Sequence, residues 1–153
     1  MTADPDGSSM VQARQAVAED PRRARSVTLP AAAQSAGLAR RATREALVLW
    51  ALGRLEQTAA LLVSELVGNA VRHARAGAVG LELRLETCGG RLRIEVHDPD
   101  PRPPRPRTPA ELDESGFGFV LIQALADRWG VRETANGKAV WVELNTEHVG
   151  KAG

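Results

Sequence analysis

Glu65, Asn69 and Arg72 stand at positions i, i+4 and i+7 of the apolar-periodic segment ELVGNAVR, so a helix would project them from one line. A carboxylate one turn from a carboxamide has a definite chemical use. The carboxylate can orient and deprotonate an attacking hydroxyl, and the neutral amide oxygen suits magnesium, which accepts it alongside waters and phosphate oxygens. The same line also fits a plain solvent-facing stripe. Arg72 and His73 suit a helix surface and a helix end as readily as a phosphate site. Asp98 closes an alternating apolar stretch; it is acceptor-only and fixed by a strand, so it can recognise an amino group or simply bond a turn backbone. Gly116 and Gly118 open a further apolar run. Without Cβ atoms they let the chain turn closely around phosphates and offer N–H groups at a helix start, although many helices begin after glycine. The P-loop and dinucleotide glycine signatures are absent, and the three histidines and Cys88 lack zinc spacing.

The elements that must position these groups follow from periodicity. Residues 1–24 read as a flexible tail and 147–153 as a second one, leaving 25–146 as a single domain. Ser26 to Leu29 forms a short edge strand closed by Pro30. Ser35 is the expected N-cap of a helix to Trp50, with Leu38, Ala42, Ala46 and Trp50 inward and Gly53 as the break. A second helix from about Leu55 to His73 or Ala74 carries Glu65 and Asn69 beside a stripe that includes Ala59, Leu62, Val63 and Leu66. Val79, Leu81, Leu83 and Leu85, then Leu92, Ile94 and Val96, alternate as two strands of a hairpin turning at Gly89–Gly90. Six prolines between 99 and 109 forbid regular structure there, and so long a loop is characteristic of a lid or binding loop. The run after Gly118 predicts a helix ending before Gly130. A last hairpin follows with Asn136–Gly137 as a primed turn. Helices on one face of a mostly antiparallel mixed sheet make a two-layer α/β sandwich.

ELVGNAVRHA at 65–74, the Asp98 loop and GFGFVLIQALADRWGV at 116–131 resemble the ATPase domain of gyrase, the ninety-kilodalton chaperone and sensor histidine kinases. Within that group the chain is most similar to small anti-sigma factors that act as serine protein kinases, over residues 25 to 145. The resemblance implies ATP and magnesium (Mg2+) as ligands, with Glu65 as the general base or its positioner and Asn69 as the metal ligand. It implies Asp98 as acceptor of the adenine amino group, and Gly116 and Gly118 as the phosphate-loop glycines. It further implies transfer of phosphate to a serine of an anti-anti-sigma protein, a sigma factor as the other partner, and leaves a homodimer open. Two departures stand out: Asp100 replaces the glycine expected after the adenine aspartate, and Ala139 takes the position read as the family's nucleotide-binding threonine. Both favour a modest affinity, and they give weight to a nonenzymatic ATP-binding module that regulates a partner. A histidine kinase fragment fits less well, since no segment provides a dimerisation hairpin.

Composition narrows the classes further. At 153 residues, 43% hydrophobic and 25% charged, the chain is one ordinary globular domain. Its net charge of +1 and interleaved acids give no basic stripe for nucleic acid or a membrane surface. No apolar run approaches a bilayer span, the N-terminus does not read as a secretion signal, and a single cysteine rules out an internal disulfide, so a cytoplasmic location is expected.

Overall fold

A computed structural model of the protein describes residues 22–72, 80–99 and 118–147. Strand β1 (Arg23–Leu29) leads into helix α1 (Ser35–Leu49), a single 3-10 turn (Gly53–Leu55) and helix α2 (Glu56–Arg72). The β2 (Leu81–Cys88) and β3 (Arg91–Asp98) hairpin follows, then helix α3 (Gly118–Leu125) and the β4 (Arg128–Glu133) and β5 (Lys138–Asn145) hairpin. The strands form one sheet in the order β1-β2-β3-β5-β4, and all four pairings are antiparallel.

Period-two alternation gives the sheet two unlike faces. Leu83, Val96 and Val140 lie side by side across β2, β3 and β5, as do Leu85, Ile94 and Val142, and these rows face the helices. Helix α2 sends Leu62, Val63, Leu66 and Val67 onto them, and α1 adds Ala39, Ala46 and Leu47. Each fully buried aliphatic side chain contributes about 1.5–3 kcal/mol relative to exposure, so this one interface dominates the fold's stability. The expected two-layer α/β sandwich is what the chain forms.

Several local expectations are corrected. Ser35 is not a cap but the first helical residue; Gln34 precedes it without a side-chain capping bond, and the Ser35 hydroxyl donates to the Pro30 carbonyl. The buried line of α1 is Ser35, Ala39, Ala42, Thr43, Ala46 and Leu47, which leaves Leu38 42% exposed. The β2–β3 turn has φ of 60° at Gly89 and 78° at Gly90, the pair of positive values a primed two-residue turn needs. Asn136 and Gly137 have no such φ: their turn closes by Thr134 N–H to the Gly137 carbonyl, and by Gly137 N–H to Thr134 Oγ1, both 2.9 Å. The helix expected to run to Gly130 stops at Leu125. The Asp127 N–H donates to the Glu143 carbonyl and Asp127 Oδ2 accepts from the Asn145 N–H, which pulls the chain into β4. The strand expected over Ser26–Leu29 extends back to Arg23, paired with Thr87.

Helix α1 ends earlier than Gly53 suggests. Ala51 adopts φ of 60°, Leu52 N–H reaches back to the Leu47 carbonyl at 2.8 Å, and the pattern is a left-handed helix terminator. An alanine in this conformation crowds its own Cβ, at a cost of about 1 kcal/mol that glycine avoids. Ala51→Gly should therefore raise the thermal midpoint by a few degrees. A lower midpoint by calorimetry would contradict the terminator geometry.

Candidate functional site

Helix α2 holds Glu65 and Asn69 on its half-buried flank, between the core stripe and solvent. The flank is fixed from both sides. Arg40 of α1 donates to Ser64 Oγ at 2.8 Å, anchoring the residue next to Glu65. Arg72, one turn beyond Asn69, donates to Asn69 Oδ1 and so orients the carboxamide oxygen as an acceptor for positive charge. Among the described residues no group of three or more His, Cys, Asp and Glu could hold a metal ion. A lone amide oxygen fits a magnesium that brings phosphate oxygens and waters as its other ligands.

Asp98 is the last residue of β3, on the helix-facing side, and only 6% exposed. Its register partner on β5 is Lys138, whose Nζ donates to Asp98 Oδ2 at 3.2 Å. This corrects the reading of the last hairpin. Ala139 pairs with His97 and Arg132 and lies on the opposite face of the sheet, so it cannot be the neighbour of a base held at Asp98. Lys138 occupies that place. Gly118 is the first residue of α3. Gly116, His73, Asp100 and most of the proline-rich loop lie outside the described residues. Arg40 and Arg41 line a groove of about 490 Å³ along α1, but none of Glu65, Asn69 and Asp98 borders it.

The open face of the sheet carries a polar cluster. Glu95 is 8% exposed there and accepts hydrogen bonds from Arg93 and from Arg132, the latter at 3.0 Å, with His97 Nε2 at 2.7 Å. Burial alone pushes its carboxyl up, but the bonds from Arg93, Arg132 and His97 outweigh this and hold it down at about 2. Arg93 also donates to Glu143 at 2.8 Å and stacks on Trp141, 4.2 Å from the ring centroid. Gly130 leaves room for that ring, since a Cβ there would meet it at 2.7 Å. Trp141 thus packs on the open face of the sheet, and Trp129 is 37% exposed on edge strand β4. The signal that could have revealed the cluster is Arg93-x-Glu95-x-His97, three ionisable groups on one face of a central strand.

An antiparallel α/β sandwich with a carboxylate and a carboxamide one turn apart on a covering helix, and a buried aspartate at a strand end, has the framework of the ATPase domains of the sensor-kinase type. The chain belongs to the histidine kinase-like ATPase domain family, whose model matches residues 10–144. It is 36% identical over 83 residues to the uncharacterized protein SCO4941 of Streptomyces coelicolor, across 53% of this chain and 79% of the relative. Its fold is that of a structure of the RsbU and RsbW domains of Rv1364c from Mycobacterium tuberculosis, with a TM-score of 0.62 and 21% identity. That match covers 80% of this chain and 32% of the longer one, so this chain spans about a third of that protein. Among the described residues no helix is long and apolar enough to cross a membrane.

Proposed function

We propose that the protein is a cytoplasmic ATP-binding regulator of the anti-sigma type, which transfers the γ-phosphate of ATP to a serine of an anti-anti-sigma partner. The observation that supports it most is the Glu65–Asn69 pair on the half-buried flank of α2, in a chain of this family. In this reading Asn69 Oδ1 holds magnesium, Asp98 accepts a hydrogen bond from the adenine amino group, and the N–H groups around Gly116 and Gly118 receive phosphate oxygens. Bound magnesium would neutralise charge on the phosphates. Glu65 takes the proton of the attacking serine hydroxyl, whose oxygen bonds to the γ-phosphorus as the bond to ADP breaks.

Titration calorimetry with ATP and magnesium tests the site directly. Asn69→Ala should weaken ATP by about 10-fold when magnesium is present, the scale of one lost polar contact, and by much less without it. Equal affinities for both proteins under both conditions would remove Asn69 from the metal site.

A specific observation favours a second reading, a nonenzymatic ATP-binding module. Both acceptor oxygens expected to meet the ligand already engage a cation of the chain, Asn69 through Arg72 and Asp98 through Lys138. Nucleotide would then act as a switching ligand that orders a partner surface. Firm ATP binding without transfer to the true partner would select this reading over the first.

A further inference from the structure

We infer that Lys138 is a base-specificity residue, and that it opens the Asp98 site to 6-oxopurine nucleotides such as GTP and ITP as well as to ATP. This rests on the nucleotide-binding reading above and deepens it. A carboxylate aimed at the C6 substituent selects adenine, because adenine offers an amino donor there where guanine offers an oxygen acceptor. Two acceptors facing each other repel, and a site built on one hydrogen bond rejects the analogue that cannot make it.

The structure departs from that arrangement. Asp98 and Lys138 form the last register pair of β3 and β5, on the helix-facing side. Their side chains are 7% and 23% exposed, and the ammonium lies 3.2 Å from Asp98 Oδ2. The end of the sheet therefore presents an acceptor and a donor side by side. Lysine carries three N–H donors, and Asp98 is the ammonium's one contact among the described residues. A 6-oxopurine can place O6 against the Lys138 ammonium and its N1–H against the Asp98 carboxylate. Adenine can place its amino group against Asp98. The side chain on Ala139 cannot take part, since it lies on the other face.

The test measures binding of ATP, GTP, ITP and purine riboside triphosphate, each with magnesium, by competition against a fluorescent ATP analogue. The wild type should hold GTP within about 10-fold of ATP, and Lys138→Met should weaken GTP and ITP by about 10- to 100-fold more than it weakens ATP, the range of one charge-assisted hydrogen bond. Lys138→Arg, which keeps charge and donors, should retain GTP. The wild-type analogue series stands on its own if Lys138→Met fails to fold: ITP, with O6, should bind more tightly than purine riboside triphosphate, which has no group at C6. ITP binding no better than purine riboside triphosphate would overturn the inference. So would GTP excluded by more than about 100-fold from a protein that holds ATP, or equal losses of ATP and GTP in Lys138→Met; in each case the wild type still binds ATP. Failure of every nucleotide to bind would overturn the nucleotide-binding reading along with it.

Discussion

Glu65→Gln should retain ATP binding and lose about 10²–10⁴ in the rate of phosphate transfer to a cognate anti-anti-sigma protein, the usual cost of removing a general base. The substitution keeps the side chain's size and its place on α2, so the packing of the neighbouring Leu62 and Leu66 on the sheet is undisturbed. Only the capacity to take a proton is lost. Single-turnover transfer should be measured alongside ATP affinity, because weakened binding imitates slowed chemistry. Undiminished transfer by Glu65→Gln would return Glu65 to the status of a polar helix residue. Absence of transfer by the wild type, with ATP bound and the partner present, would favour the switching module.

The second large effect concerns stability and pH. Glu95 ionises at about 2 in the folded protein against an ordinary value of 4.5, so the folded state binds fewer protons at this site than the unfolded state does. The contribution is complete above about pH 4.5 and is lost as pH falls toward about 2; it is on the order of 3 kcal/mol. Glu95→Gln should destabilise the protein by a similar amount at pH 7, since Arg93 and Arg132 lose their shared carboxylate. The gap between wild type and variant in urea unfolding should then close between about pH 4.5 and pH 2. A gap of constant size across that range would mean that the cluster stabilises through packing rather than charge. Glu82, whose carboxyl is also lowered by its Arg84 partner, titrates in both proteins and cancels in the comparison.

Sequence made some parts of the molecule readable and concealed others for physical reasons. The apolar stripe of α2 and the alternation of Leu81 to Val96 are each set by one dominant interface, so local periodicity was enough to place Glu65, Asn69 and Asp98 on their elements. What was misread depended on distant partners. The end of α3 is decided by bonds from Asp127 to β5, and FVLIQALADRW is equally apolar as helix or strand. The left-handed Ala51 has no residue signature, because glycine is the usual occupant. Strand register was the costliest loss. A one-residue slip in GKAV exchanges the faces of Lys138 and Ala139, and with them the residue beside Asp98. Glu95 was concealed because a polar residue on a strand's outer face looks solvated until Arg93, His97 and Arg132 cover it.

The sheet's pairing has a practical meaning for building with this domain. Arg23 enters β1 opposite Thr87, Asn145 leaves β5 opposite Arg91, and the Thr146 N–H donates to the Gly90 carbonyl at 2.8 Å. Entry and exit therefore flank the Gly89–Gly90 turn at one end of the sheet, three strand spacings or about 15 Å apart, while Asp98 and Lys138 lie at the other end. A domain with its doorways on one side and the proposed ligand residues on the other can be spliced into a longer polypeptide, or permuted by a short bridge between those doorways, without cutting through the end proposed to hold nucleotide.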